Sequence, residues 1–208
     1  MNTKEHWDSA YQKNPTEKLG WYEANPTPAL ELIAKTNLPK NVHVLLIGAG
    51  STLLVDQLID DGFTNIAAHD ISSTAFDQLK ERLKEKAASV NWILDDLCAP
   101  KALLEMSPVD LWIDRAVLHF LTEAKDQTTY FNTLKAKVAK NGFVLIAEFN
   151  LDGAEKCCAL PVHRYSESMI TQALGDEFKL IEAFNYTFIN PGGAERPYIY
   201  TLYQRINA

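Results

Sequence analysis

The sequence predicts an α/β protein built as a three-layer sandwich, in which a mostly parallel seven-stranded sheet lies between two layers of helices. Two observations support this fold class. As far as residue 149, apolar β-forming segments alternate with helical segments, a pattern typical of a parallel sheet with right-handed crossovers. After that point, two aromatic-rich segments flank the turn-rich stretch NPGGAERP at 190–197, which indicates that the sheet ends in an antiparallel β-hairpin.

Hydrophobic periodicity and turn residues place the elements in chain order. The predicted strands cover residues 42–48, 65–70, 90–94, 109–115, 142–149, 178–188 and 197–205. The predicted helices cover residues 52–61, 73–87, 99–106, 125–139 and 166–174. Ser72 and Ser73 are typical N-cap residues for the second helix, and Asn141 with Gly142 predicts the end of the fourth.

The composition of the chain is typical of a globular protein and argues against several other classes of protein. The chain has 208 residues, 47% hydrophobic and 23% charged, which suits one globular domain or one domain with a small appendage. The net charge of −7 without a basic stripe argues against nucleic acid, and no apolar run approaches the ~20 residues that span a bilayer. The three cysteines form neither a disulfide framework nor a metal-ligand spacing, which favours a reducing cytoplasm and no metal. We expect a monomer or a weak homodimer.

The segment VHVLLIGAGST at 42–52 predicts a strand, a tight turn and the start of a helix. Gly48 and Gly50 allow the backbone to turn sharply and to approach a ligand closely. The next predicted strand ends at Asp70, about twenty residues further on, where an acid that binds a ribose is expected. An ordinary glycine turn is the alternative, but the acid at this distance favours a cofactor that contains a nucleoside.

The residues after the glycine turn and at the ends of the later strands indicate which nucleoside cofactor the protein binds. A dinucleotide fingerprint requires a third glycine where Leu53 stands. The third predicted strand ends in Asp95 and Asp96, a pair suited to an exocyclic amine such as that of adenine. The fourth carries Asp114 and Arg115 at its end.

Acids at the ends of three successive strands after a glycine turn resemble the class I, Rossmann-like S-adenosylmethionine-dependent methyltransferases, and more loosely the thiopurine and tellurite-resistance methyltransferases. The fourth strand is similar to a subgroup that reads D-x-W-x-D-R-A-x-x-H-F-L. The chain departs from the family at Leu46, where an acid is usual, and at Thr52, where a glycine is often found. The resemblance implies S-adenosylmethionine as methyl donor and S-adenosylhomocysteine as product, with contacts from Gly48, Ala49, Gly50, Asp70, Ile71, Asp95, Asp96, Leu97 and Asp114.

Two residues are candidates for the chemical step. Asp114, at the carboxyl end of a central strand, would orient the donor's methyl region or accept a proton from the acceptor. The alternative is a structural ion pair with Arg115. His119, predicted in the first turn after that strand, would act as a general base near neutral pH, and its alternative is a packing role between Leu118 and Phe120.

The acceptor side is predicted from residues around the fifth strand. Glu148, near the end of that strand, would face the crevice, or else it is a surface acid. The long connection 150–166 resembles a substrate-side loop, in which Arg164 would bind an anionic acceptor or pair with a neighbouring acid. Arg115 is assigned to the same side. Cys157 and Cys158 are predicted to be structural.

The segment 1–40 is predicted to be an N-terminal arm on a methyltransferase domain that covers 41–208. It is either a packing arm over a sheet edge or a lid over the donor, since aromatic faces attract a sulfonium cation. The lid would be formed by four aromatic residues, Trp7, Tyr11, Trp21 and Tyr22.

The function predicted from the sequence is methyl transfer from S-adenosylmethionine. A small molecule, such as a thiol or another soft nucleophile, is preferred as the acceptor. A protein lysine is the alternative, because an open acidic groove would attract basic peptides. A third hypothesis, raised by Leu46 and Thr52, is a protein that binds the cofactor without turnover.

Overall fold

The computed structural model describes residues 4–207, so 1–3 of the predicted arm and 208 of the predicted domain lie outside the described residues. The helices are α1 Lys4–Lys13, α2 Thr27–Lys35, α3 Leu54–Asp60, α4 Ser73–Leu83, α5 Ala102–Glu105, α6 Ala124–Lys137 and α7 Glu167–Leu174. The strands are β1 His43–Ile47, β2 Asn65–Asp70, β3 Val90–Leu94, β4 Val109–Arg115, β5 Val138–Phe149, β6 Lys156–Cys157, β7 Leu160–Pro161, β8 Phe178–Ile189 and β9 Glu195–Arg205.

The predicted fold class is confirmed. A seven-stranded sheet has the order β3-β2-β1-β4-β5-β9-β8. The first five of these strands pair in parallel, whereas β9 pairs antiparallel with both β5 and β8. Two-residue strands β6 and β7 form a separate small hairpin within the predicted substrate-side loop. The carboxyl ends of β1 to β4 therefore meet at one edge, which is where an open α/β sheet binds ligands.

Helices cover both faces of the sheet, as predicted, because side chains of successive strand residues point to opposite faces. In β4, Ile113 packs in the cluster that contains α2, α3 and α4 residues, whereas Trp112 packs in the cluster that contains α5, α6 and α7 residues. Both side chains are almost completely buried. No helix among residues 4–207 is both long and apolar enough to cross a membrane.

Two predicted helix ends are wrong. The second predicted helix was extended to residue 87, but α4 ends at Leu83, since Lys84 adopts a φ of 54° that an α-helix cannot continue. The fourth predicted helix covers 125–139 and is closed by Asn141 and Gly142, but α6 ends at Lys137, two residues before the predicted end. Val138 already pairs with Val109 of β4, and the register then shifts, so Asn141, with a φ of 63°, turns a bulge inside β5 rather than capping a helix.

The N-terminal segment divides into two parts. Helix α1 packs on α4, where the Asp8 carboxylate accepts hydrogen bonds from the Ser72 hydroxyl at 2.7 Å and from the Thr74 N–H at 3.2 Å. Helix α2 buries its apolar face in the core of the sheet. The part that lies over the strand ends is thus shorter than the predicted 1–40 arm. We call residues 4–23 the arm from here on.

A buried polar contact joins α6 to β4. The Tyr130 hydroxyl donates to the Asp114 carboxylate at 2.7 Å, and the Val117 N–H donates to its other oxygen at 3.1 Å. Burial, reinforced by the nearby Glu148 carboxylate, raises the pKa of Asp114 well above its usual range. A polar group in such a place is costly unless it is hydrogen-bonded.

We predict that Tyr130→Phe lowers the free energy of unfolding by about 1–3 kcal/mol, because it removes a donor from a fully buried carboxyl group. Chemical denaturation measures the effect. Tyr186→Phe is the matched control, since Tyr186 is exposed, and its change should stay within about 0.5 kcal/mol. Equal stability of the two variants would contradict a structural role for the contact.

Candidate active site

A cavity that opens to solvent lies at the carboxyl ends of β1 to β4, beneath the arm, with about 800 Å³ of empty space up to and including its mouth. Its wall contains most of the predicted donor-binding residues, namely Gly48, Asp70, Ile71, Asp95, Asp96 and Leu97. A second cavity of about 610 Å³ adjoins it and includes Ala49. The two share Tyr11, Trp21, Gly48 and Arg115, so they lie on either side of the same residues, and together we call them the cleft.

The backbone conformation and the close packing at positions 48 and 50 both require glycine. Gly48 and Gly50 have φ values of 54° and 52°, in the left-handed region that L side chains rarely adopt. A Cβ on Gly48 would lie 2.2 Å from a Val117 methyl carbon, and one on Gly50 would lie 2.1 Å from the Tyr11 hydroxyl oxygen. The turn is therefore packed against the segment that follows β4 on one side and against the arm on the other.

Asp70 lies at the end of β2, where its carboxylate holds the glycine turn in place. It accepts hydrogen bonds from the Gly50 N–H at 2.7 Å and from the Ser72 N–H at 2.8 Å. Burial raises the pKa of Asp70 to about 6 even though these N–H groups favour its charged form. A carboxylate has about four acceptor sites, and these N–H groups do not occupy all of them, so acceptor capacity stays available to a ligand hydroxyl.

The acids after β3 have different tasks. The Asp95 carboxylate accepts from the backbone N–H groups of Lys101 and Leu103, both within 2.9 Å, and so positions the start of α5. Asp96 accepts from the Cys98 N–H at 2.8 Å. Both acids line the cavity, so this part of the wall is negative and presents carboxylate acceptors.

Aromatic residues of the arm form the roof of the cavity. The Trp21 indole N–H donates to the Tyr11 hydroxyl at 3.2 Å, and the Trp7 ring packs on Phe120 with centroids 4.8 Å apart. Tyr22, the fourth predicted lid residue, lines only the second cavity. The arm contacts α4 and the cavity, a placement that suits a lid better than a cover for a sheet edge.

Arg115 joins the arm to β4. Its guanidinium forms an ion pair with Glu23 at 3.0 Å and donates to the Tyr200 hydroxyl at 3.1 Å. One guanidinium nitrogen, Nη2, and one Glu23 oxygen, Oε1, are buried without a hydrogen-bond partner among the described residues. Both residues line the second cavity. The ion pair thus keeps one unsatisfied donor and one unsatisfied acceptor side by side, which suits a zwitterionic ligand group.

The structure corrects the predictions for Asp114. It does not line either cavity, because strand alternation turns its side chain toward α6, where Tyr130 holds it. Nor does it pair with Arg115, whose side chain points to the opposite face. The assignments of Asp114 to the donor site and to the chemical step are therefore not supported by its position.

His119 and Glu148 form a buried pair behind the cavity wall. The Glu148 carboxylate accepts from the N–H groups of Leu118 and His119 and lies 2.9 Å from His119 Nδ1. Burial lowers the pKa of His119, but Glu148 and the neighbouring Cys157 thiol raise it to about 9 overall. The imidazole is thus protonated at neutral pH and cannot accept a proton there. Glu148 is neither a surface acid nor open to the cavity.

Arg164 lies away from the cavity. Its guanidinium donates to the backbone carbonyls of Leu151 at 2.8 Å and of Gly153 at 3.3 Å, and it lies 3.6 Å from Glu155. These contacts hold the 150–166 loop together. The prediction that Arg164 binds an anionic acceptor is therefore not supported by its position.

Three cavity residues were missed by the sequence analysis or underrated there. His69 lines the cavity with both ring nitrogens buried and unpartnered among the described residues, and burial lowers its pKa to about 4, so it is neutral. Cys98 and Cys157 also line the cavity. Only the position of His69, beside Asp70, was a signal for it. Among the described residues no group of three or more potential ligands is arranged to hold a metal ion.

Comparisons with known proteins agree with this architecture. No family model matches the chain. It is 26% identical over 166 residues to EEF1A lysine methyltransferase 2 of Danio rerio, which covers 72% of this chain and 70% of that protein. Its fold matches a crystal structure of a SAM-dependent methyltransferase from Anabaena variabilis, with a TM-score of 0.78, 13% identity and coverage of 99% and 96%.

A third similar protein was solved with the product of a methyl donor bound. The N-methyltransferase NodS from Bradyrhizobium japonicum, solved in complex with S-adenosyl-L-homocysteine, matches with a TM-score of 0.69 and 13% identity, over 96% of this chain and 98% of that one. The resemblance predicted from the strand-end acids and the glycine turn is confirmed. In fold, the chain is similar to class I S-adenosylmethionine-dependent methyltransferases, and in sequence it is similar to a lysine methyltransferase.

Proposed function

We propose that this protein transfers a methyl group from S-adenosylmethionine to a lysine side chain of a protein. The observation that carries the proposal is the sequence similarity to a lysine methyltransferase over about 70% of both chains. The net charge of −7 supports it, since an acidic surface attracts a basic protein partner. The proposal reverses the order of acceptors that the sequence alone favoured.

The residues of the cleft fit the donor. Asp70 would accept hydrogen bonds from the ribose hydroxyls, and Asp96 would accept from the adenine amine. Arg115 Nη2 and Glu23 Oε1, which lack partners among the described residues, would bind the α-carboxylate and the α-ammonium group of the methionine part. Gly48 lies between the two ends, in both cavities, and lets the backbone approach the donor.

The donor supplies an electrophilic methyl group, and the protein contributes alignment and exclusion of water. The aromatic rings of Trp7, Trp21 and Phe120 would stabilise the sulfonium cation by roughly 0.5–2 kcal/mol each. His119 carries a proton at neutral pH, so we do not assign it as the base for the acceptor. The lysine amine would therefore have to reach the methyl group in its neutral form.

A small-molecule acceptor is the second candidate, favoured by the arm that covers an aromatic-walled cavity. Binding without turnover is the third, since Leu46 and Thr52 depart from the family pattern. The cytoplasmic location and the monomeric or weakly dimeric state stay predictions.

We predict that labelled S-adenosylmethionine delivers its methyl group to lysine in purified EEF1A, detected as methyl-lysine after hydrolysis. Small thiols and amines tested in parallel should gain label at least tenfold more slowly. Asp70→Ala, impaired in donor binding, serves as the control. Label in the small molecules alone would favour the second candidate, and donor binding without any labelled product would favour the third.

We predict that the affinity for S-adenosylhomocysteine falls by roughly tenfold per pH unit as pH drops below about 6. The pKa of Asp70 is raised, so its carboxyl takes up a proton there and loses acceptor sites for the ribose. Titration calorimetry between pH 5 and 8 measures the slope. Asp70→Asn should bind more weakly at pH 8 and lose the slope, whereas the exposed Asp60→Asn should keep both. An unchanged slope in Asp70→Asn would refute the assignment.

A further inference from the structure

The wall of the donor cavity contains a cysteine in a reactive setting. Cys157 ends β6 and lines the same cavity as Gly48, Asp70 and Phe120. The position lies within the 150–166 loop, which folds back over the strand ends. A side chain in this wall is accessible to small molecules that enter the cavity.

The groups around Cys157 favour its thiolate. The buried imidazole of His119 is held by Glu148 at 2.9 Å and lies close enough to the Cys157 thiol for each to shift the other's pKa. The Cys158 sulfur lies 3.6 Å from the Cys157 sulfur and can donate its S–H. The charge of Arg196 adds to this effect. A thiol donor in contact with the sulfur and two nearby cations thus favour the thiolate of Cys157.

The backbone holds the two sulfurs together. Cys158 and Ala159 have φ values of 51° and 63°, as in the turn of a tight β-hairpin, and Cys157 pairs with Leu160 across it. Two successive non-glycine residues in the left-handed region raise the conformational energy of the backbone. Such a conformation persists where contacts with the surrounding structure stabilise it. The hairpin therefore presents Cys157 to the cavity with Cys158 beside it.

We infer that Cys157, held beside Cys158 in the cavity wall, is a nucleophilic cysteine and a covalent modification site at which soft carbon electrophiles alkylate the protein and block the donor cavity. In the reaction with iodoacetamide, the thiolate sulfur forms a bond to the methylene carbon as the carbon–iodine bond breaks. Iodide leaves with the electron pair. The proton that the thiol has lost stays on the imidazolium of His119, which Glu148 neutralises.

Cys98 is a control within the same cavity. Burial and the charges of Asp96 and Asp126 raise its pKa to about 12, whereas the hydrogen bond from Cys158 and the neighbouring His119 lower that of Cys157 to about 5 despite burial. At neutral pH the fraction present as thiolate is larger for Cys157 than for Cys98 by about five powers of ten. A thiolate of lower pKa is a weaker nucleophile, which reduces this advantage by about three powers of ten. Alkylation of Cys157 should be about a hundredfold faster.

The experiment treats the full chain with iodoacetamide and maps the alkylated cysteines by peptide mass spectrometry over time. We expect the Cys157 rate to be flat between pH 6 and 8. Cys158→Ala should move the onset of reactivity to higher pH, and Cys98→Ala should leave it unchanged. S-adenosylhomocysteine should slow the reaction, and the alkylated protein should no longer bind it.

Three results would overturn the inference: Cys157 reacting no faster than Cys98, its rate rising tenfold per pH unit up to pH 8, or S-adenosylhomocysteine binding by calorimetry without protecting it. Protection rests on the proposed function, whereas the rate and its pH profile do not. If S-adenosylhomocysteine fails to bind at all, the proposed donor site fails. The inference that alkylation blocks donor binding then fails as well. The rates of alkylation at Cys157 and Cys98 still test whether Cys157 is a nucleophile.

Discussion

The buried ion pair between Arg115 and Glu23 is the contact on which the architecture of the site depends. It joins the arm to the end of β4 at 3.0 Å, where the two cavities meet. Removing one partner of a buried pair leaves an uncompensated charge, at a typical cost of 3–5 kcal/mol. The pair also retains a donor and an acceptor that nothing among the described residues satisfies. It is thus both a structural contact and a recognition surface for a zwitterion.

The strands and turns of the sheet could be predicted from the sequence because each depends on a pattern within a few neighbouring residues. The apolar strands, the glycine turn at Gly48 and the hairpin after residue 189 follow from periodicity and backbone freedom, and the structure confirms them. The placement of Asp70, Asp96 and Leu97 around one cavity follows from the rule that parallel strands end at the same edge. The arm aromatics Trp7, Tyr11 and Trp21 line the same cavity, and their role as a lid stays a prediction.

The remaining features depend on contacts that the sequence does not display. Asp114 was assigned to the cavity from its position at a strand end, but strand alternation turns it toward Tyr130. Glu23 was not singled out, since its partner lies 92 positions later in the chain. Cys157 was predicted to be structural because no histidine stands at a diagnostic position relative to it, and only the folding of the loop brings His119 near it. Tertiary contact decides each of these cases.

The central claim is that Glu23 and Arg115 bind the amino-acid end of the donor. The most direct measurement is calorimetric titration of wild-type and Glu23→Gln protein with S-adenosylhomocysteine and with 5′-methylthioadenosine, which lacks that end. The account predicts that Glu23→Gln weakens S-adenosylhomocysteine by roughly 10–100-fold, as expected for one charge-assisted hydrogen bond. Glutamine keeps an oxygen that accepts from Arg115 and so preserves the contact to the arm, and binding of methylthioadenosine should therefore be nearly unchanged. An equal loss for both ligands, or no loss for either, would contradict the account.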